Sequence, residues 1–360
     1  MQQDFFKGMR VLELASVLAG PAVGMFFAEL GATVIKVENK RSGGDVTRNW
    51  RVSGETNSSA FSAYYSSVNY GKESHLLDLG DAEDQRTLRH FLAQTDILIS
   101  NFRPAAARRF GVHWEQLREQ YPRLIYAQLY AFGKDSDRPA FDVVLQAETG
   151  FLSMCGTREG ELTKMPVALI DLLAGHQLKE GILLALLRRE REQRGSLVEV
   201  SLFDAAIASL ANQATNWLIA GRVPDPMGTQ HPNIAPYGDL FWTKDQFRIV
   251  LAAGTEAQYR ALCELLHLPD LATQDRFATN AARVKHRKAL WELLQRGVGA
   301  FPRDTLLSAC AERGIPIGAV RPIDEVFAQQ TAQQLLLRYA LPDNRVVEVP
   351  RSVVFRISEG

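Results

Sequence analysis

The sequence predicts an α/β protein of two domains, a larger one built on a parallel sheet and a smaller one after it. Three observations carry that expectation. A strand–helix–strand unit occupies the first forty residues; short apolar runs then alternate with helical stretches; and the texture changes around residues 221–238. At 360 residues the chain exceeds one ordinary domain. With 46% hydrophobic and 23% charged residues, and a length that buries about three quarters of the unfolded surface, it needs neither disulfide nor metal to fold.

Arg10-Val11-Leu12-Glu13-Leu14 reads as a short buried strand. Ala15 to Pro21 is a small-residue turn, and Pro21 suits a first helical position, where its missing N–H costs nothing. Residues 22–30 are apolar enough for a helix packed on a sheet, and Gly31 stops it. Ala32 to Val37 is a second strand, ending at Glu38. Two strands joined through a helix in this way pair in parallel. Asp96 to Ile99 and Leu124 to Ala127 read as further strands, with helical stretches between. Val167 to Ile170 reads as a short strand, and the chain turns helical at Asp171. From Leu172 to Leu187 the helix is rich in Leu and Ala, with Gly175 and Gly181 allowing close packing. Leu197 to Val200 is another strand, followed by one helix from Phe203 to Leu218.

Residues 221–238 hold four prolines and three glycines, the composition of a linker or crossing segment. Beyond them Phe247 to Leu251 is a strand, residues 255–328 are mostly helical, and Val346 to Pro350 is an extended stretch that can return to the first domain. The expected boundaries are 1–205 for the larger domain, completed by 331–360, then a linker over 206–234 and a small α+β domain over 235–330.

Forty-one basic residues balance forty-one acidic ones, which removes the electrostatic case for nucleic acid or an anionic membrane as partner. The mixed run Arg188 to Glu192 reads as a solvated helix end. The amino terminus lacks a basic-then-apolar signal, and the apolar run Ile182 to Leu187 is too short to span a bilayer. Cys155, Cys263 and Cys310 are odd in number and widely spaced, as reduced thiols are, so a cytoplasmic location is expected. Glu13, Glu38 and Asp45 invite a metal, but no His, Asp or Glu spacing resembles a ligand set. An acid closing the second strand also invites a dinucleotide. The turn Leu18 to Gly24 lacks the G-x-G-x-x-G spacing, and Pro21 removes a helix N-terminal donor, so the topology stands without that cofactor.

Asp171 stands where a Leu-rich helix is expected to begin. By residue type it reads as a helix N-cap or as a carboxylate nucleophile, and the two roles are compatible. Arg103 and Arg109 read equally as surface arginines or as partners for phosphate oxygens. His176 reads as a packed or capping residue rather than a base. His231, in the Pro-rich segment, is a candidate to approach an active site.

An ordered set of segments carries a resemblance. "GMRVLELASVLAGPAVGMFFAELGATVIKVE", "SVNYGKESHLLDL", "DILISNFRPAAARRFGV", "RPAFDVVLQAETGFLSMCG", "MPVALIDLLAGHQLKEGILLALLRRE", "RGSLVEVSLFDAA", "HPNIAPYGDLF" and "RGIPIGAVRPIDEV" follow one another along the chain. Together they resemble the family III CoA-transferases, the CaiB/BaiF family, over nearly the whole length. The resemblance implies a Rossmann-like CoA-binding domain, an interlocked homodimer, an acyl-CoA donor and a carboxylic acid acceptor as substrates, and no permanently bound cofactor. It implies that Asp171 is the nucleophile, passing through an aspartyl mixed anhydride and an aspartyl-CoA thioester. It places the CoA contacts at Leu18, Ala19, Asn39, Leu77, Asp78, Leu79, Gly80, Asn101, Phe102, Arg103, Arg109, Pro139, Ala140, Phe141 and Asp142.

Two positions depart from the family pattern. Asn39 stands where Arg is usual and Gly80 where Lys is frequent, with Lys40, Arg41 and Lys72 close enough in sequence to compensate. Two rival readings share the fold. An α-methylacyl-CoA racemase needs a histidine where this chain has Phe141, and proton exchange needs both a base and an acid. A non-catalytic CoA-binding relative has only Asn39 and Gly80 in its favour, and the retained Asp171 against it. The acids are not named by the sequence; no Gly-rich tetrad like that of the oxalate enzymes occurs in residues 221–260.

Overall fold

The computed structural model describes residues 4–55, 61–340 and 346–358. The chain divides into two compact units, one of Met1–Leu152, Lys164–Pro224 and Gln334–Gly360, the other of Ser153–Thr163 and Asp225–Gln333.

The first unit is built on six strands: β1 (Arg10–Leu14), β2 (Thr33–Asn39), β3 (Lys72–Leu77), β4 (Ile97–Ser100), β5 (Ile125–Tyr130) and β6 (Ser196–Ser201). They pair in the order β3-β2-β1-β4-β5-β6, every neighbour parallel. The chain winds outward from β1 in one direction and from β4 in the other. Their carboxyl ends therefore flank the switch point at which sheets of this kind bind ligands. The β1–β4 register sets Leu14 beside Ser100, so the loops after both strands leave the sheet together.

The apolar runs of β1 and β4 are buried almost throughout, as strands covered on both faces are. On one face, helix α1 (Ala19–Glu29) and the long Leu169–Glu192 helix pack Val23, Phe27, Ala174 and Leu178 over Ile99 and Leu129. On the other, Leu88, Leu92 and Leu117 pack over Leu12, Leu98 and Tyr126. Two glycines set the approach of the long helix. A Cβ on Gly175 would stand 3.2 Å from the Ala19 carbonyl oxygen, and one on Gly181 2.5 Å from Val198 Cγ1.

Three local expectations are corrected. Val167 to Ile170 is not a strand: it joins no sheet, and the long helix already begins at Leu169 and runs to Glu192. The reason is a cap supplied from elsewhere in the chain, described below. The single helix expected from Phe203 to Leu218 is two, Leu202–Ala208 and Ala211–Ala220. The Ser209 hydroxyl donates to the Ala205 carbonyl, and Ala211 takes a left-handed φ of 48°, which together end the first helix. Pro21 is the third residue of α1 rather than the first.

The second unit holds an antiparallel sheet, β7 (Tyr237–Trp242), β8 (Arg248–Ala252) and β9 (Ile317–Ala319), ordered as numbered. Its helices close over a core that includes Phe241, Tyr259, Phe277 and Leu294, with Cys263 and Cys310 as packed free thiols. The tail forms an antiparallel pair, β10 (Leu336–Ala340) with β11 (Val346–Pro350). It lays Leu337 and Val349 against Met25 of the first unit, to which it belongs. Among the described residues no helix is long and apolar enough to cross a membrane, and no group of His, Cys, Asp or Glu could hold a metal ion.

Candidate active site

The Leu169–Glu192 helix starts without a capping side chain of its own, because its N-cap position is Ala168. Asp142, at the start of the Asp142–Glu148 helix, reaches across instead. Its Oδ1 accepts the N–H of Ile170 at 2.6 Å and that of Asp171 at 3.3 Å. Gln146 holds Asp142 in turn, donating to Asp142 Oδ2 while its Oε1 accepts the Met165 N–H at 2.9 Å. The capping role that residue type alone suggested for Asp171 thus belongs to Asp142. The Asp171 carboxylate is left for other work.

That carboxylate belongs to a residue only 7% exposed. A position in the first turn of a helix favours a negative charge, but here burial wins. Desolvation, and then the neighbouring Asp142 charge, push the Asp171 pKa up to about 7. A carboxylate held this way is more basic, and so more nucleophilic, than one in water.

Asp171 opens on a cavity of about 820 Å³ at the carboxyl ends of β1, β4 and β5. Of the residues expected to contact CoA, Leu18, Ala19, Asn101, Phe102, Arg103, Pro139, Ala140 and Phe141 line it as well. A second cavity of about 360 Å³, over the ends of β2 and β3, is lined by Asn39, Leu77, Asp78, Leu79 and Arg109. The two share Ser16, Val46 and Phe102 as common wall. Their loops are tied across the switch point: Ser16 donates its N–H to Asn101 Oδ1 at 3.3 Å, and Asn101 Nδ2 donates back to the Ser16 carbonyl at 3.1 Å. Asp142 and Gly80 line neither cavity. Asp142 caps the long helix, and Gly80 donates its N–H to Asp78 Oδ1 at 2.9 Å.

Several residues of the site carry no sequence signal. Val17 has a φ of 74°, a left-handed conformation that a β-branched residue rarely adopts. Its N–H donates to Asp45 Oδ2 at 3.2 Å. The same oxygen lies 3.2 Å from Lys36 Nζ, and Lys36 also binds Glu13 Oε1 at 2.8 Å and the Ala15 carbonyl at 2.7 Å. A buried ion network therefore clamps the loop that walls the Asp171 cavity. Trp50 and Tyr64 are the other residues the sequence did not mark. Tyr64 stacks edgewise on Trp50, with centroids 5.0 Å apart, and Trp50 meets Phe141 at 6.0 Å. Burial, then the Asp171 and Asp142 charges, raise the Tyr64 hydroxyl to about 12, so it stays protonated at neutral pH.

The acids that had invited a metal are paired with cations instead. Glu13 bonds Lys36 and Lys72, each at 2.8 Å. Burial opposes ionisation of Glu38, but hydrogen bonds from Arg48, Ser74 and the Asp45 backbone hold it at about 2. Lys72, expected to be near enough to compensate for Asn39 and Gly80, is buried against Glu13, Asn69 and the Pro21 carbonyl and lines neither cavity. His176 is exposed on the long helix and also lines neither. In the second unit the His231 ring accepts the Asn233 N–H at 3.1 Å, and its carbonyl accepts from Arg287 at 2.6 Å.

Comparison with known proteins gives the family. The model of CoA-transferase family III matches residues 6–359. The succinate–glutarate CoA-transferase of Agrobacterium fabrum is 37% identical over 340 residues, covering 93% of this chain and 84% of that protein. The succinyl-CoA:glutarate CoA-transferase of Mus musculus is 31% identical over 98% of this chain and 82% of its own. The crystal structure of a CaiB/BaiF family protein from Brucella suis superposes with a TM-score of 0.84 at 35% identity, covering 99% of this chain and 94% of that one. The chain belongs to CoA-transferase family III and is an enzyme of that class.

Proposed function

We propose that this enzyme moves CoA from an acyl-CoA thioester to a free carboxylic acid through covalent chemistry on Asp171. The observation that carries the reading is a buried carboxylate, raised to about 7 and free of hydrogen-bond donors among the described residues, opening on a cavity large enough for an extended ligand. Asp171 attacks the thioester carbonyl; the C–S bond breaks, leaving a mixed anhydride and CoA thiolate. The thiolate then attacks the Asp171 carbonyl of the anhydride, the first acid departs as carboxylate, and CoA stays on the enzyme as a thioester. An incoming carboxylate reverses both steps. Holding both partners next to one carboxylate makes each step effectively intramolecular. CoA contacts are proposed at the expected residues that line the two cavities.

The Agrobacterium fabrum and Mus musculus relatives are named for succinate and glutarate, and one from Acetobacter aceti, 33% identical over 92% of this chain and 85% of its own, is named for oxalate. Short dicarboxylic acids are therefore the proposed substrate class. Arg103, which has no carboxylate partner among the described residues, is a cation of the cavity that can meet a second carboxylate. The racemase reading is disfavoured by Phe141, which stands in the cavity wall and can neither take nor give a proton. A screen of acyl-CoA donors against free acids, read by mass spectrometry, tests the reading. Transfer among short dicarboxylic acids is expected; deuterium exchange at the carbon next to a 2-methylacyl thioester, without transfer, would favour the racemase.

A further inference from the structure

The smaller cavity has two cations on its wall, Arg41 and Arg109. Three acids line it as well: Glu38 and Asp45 are engaged with Arg48 and Lys36, and Asp78 with Arg41. Arg109 lies over the Phe110 ring at 4.5 Å. Arg41 is placed by three other residues. Asn39 Oδ1 accepts the Arg41 N–H at 3.0 Å and so caps the short turn Lys40–Ser42. Asp78 Oδ2 accepts from Arg41 Nε at 2.7 Å, and Gly80 fixes Asp78 through its N–H. A Cβ on Gly80 would stand 3.2 Å from Arg41 Nη2, so a larger residue there makes the exposed guanidinium shift. Lys40 pairs with Asp84 and lines neither cavity.

We infer that Arg41 binds a phosphate of the nucleotide end of CoA, with Asn39 and Gly80 acting through it rather than touching the ligand as cations would. This rests on the CoA-transferase reading. A thioester at Asp171 lies in the larger cavity, and the two cavities join at Ser16, Val46 and Phe102, so the far end of an extended ligand enters the smaller one. There Leu14, Val37, Leu79 and Phe110 offer an apolar slot for a purine, and Arg41 and Arg109 supply charge. The Arg41–Asp78 pair is exposed, and such pairs are weak. A phosphate dianion, with more charge and more acceptor oxygens than a carboxylate, takes the guanidinium from it. The departures at 39 and 80 are then two halves of one rearrangement.

Calorimetry with CoA, dephospho-CoA and pantetheine tests this on the parent enzyme, Arg41→Ala, Arg41→Lys and Lys40→Ala. Arg41→Ala is expected to weaken CoA roughly tenfold or more, leave pantetheine unaffected, and be partly rescued in Arg41→Lys. Lys40→Ala should bind all three like the parent. If dephospho-CoA escapes the loss, Arg41 holds the 3′-phosphate; if it shares the loss, Arg41 holds the diphosphate. Parental CoA affinity in Arg41→Ala, or an equal loss for pantetheine, overturns the inference while leaving the transferase reading intact. A parent enzyme that binds no CoA overturns both.

Discussion

Asp171 combines a position that favours a negative charge with burial that opposes it, and the second effect sets its chemistry. Its raised pKa also has a stability consequence. Below the ordinary value of 3.8 the folded and unfolded chains both hold the proton; from there up to about 7 only the folded chain does, so stability falls as pH rises across that window. Asp171→Asn removes the penalty. It is expected to be more stable than the parent at pH 7, by an amount of the order of a few kcal/mol at most, and to flatten the pH dependence between about 4 and 7. Denaturant titrations at several pH values measure this; a variant less stable than the parent at pH 7 would contradict the burial argument. Asp142→Asn removes a like charge yet keeps an oxygen to accept the Ile170 N–H. It should move the acid limb of the pH–rate profile to lower pH. An unmoved limb would mean the Asp142 charge is not felt at Asp171.

At the scale of elements, periodicity and punctuation were enough for the sheet. The sequence reading of Arg10–Leu14 matches its observed limits and those of β2, β4 and β5 fall within a few residues, because mostly buried strands are short apolar runs bounded by turns; β6, only partly buried, is equally close. The start of the long helix was misread for a physical reason. Its cap comes from Asp142, 28 residues before Ile170, and no local pattern reports a partner so distant. Val17 was equally illegible: valine carries no preference for a left-handed φ, and only the Lys36–Asp45 clamp explains it. Trp50, in irregular chain, and Tyr64, in the one-turn helix Ala63–Ser66, carry no sequence mark because neither segment is long enough to show a period. The glycines of the long helix were legible, and they allow a quantitative test. In a helix, Gly→Ala ordinarily gains roughly 1 kcal/mol. At Gly181 the added methyl would lie 2.5 Å from Val198 Cγ1, and overpacking costs about 1–3 kcal/mol. The clash should win, so Gly181→Ala is expected to lower the denaturation midpoint; a rise would show that the helix can shift.

The whole chain was more legible than its parts. No single segment identifies the family, but their order does, and the family match spans residues 6–359. The assembly remains a proposal, an interlocked homodimer. Its support is an apolar surface at the end of the Ala211–Ala220 helix, where Leu218 is 75% and Ile219 84% exposed beside Trp217. Three exposed apolar side chains in succession favour burial against a partner. Light scattering is expected to give twice the chain mass, and Ile219→Asp to shift the species toward monomer; a parent that stays monomeric across micromolar concentrations would remove the idea. The central claim, that Asp171 carries CoA covalently, has a direct measurement. The enzyme is incubated with a donor it turns over, quenched with hydroxylamine or borohydride, digested, and the peptide containing Asp171 is weighed. The account expects a hydroxamate or an alcohol at Asp171, absent without donor and absent in Asp171→Asn, which should also lose transfer almost entirely. An unmodified Asp171 peptide during turnover, together with a folded Asp171→Asn enzyme that transfers CoA at near-parental rate, would contradict it.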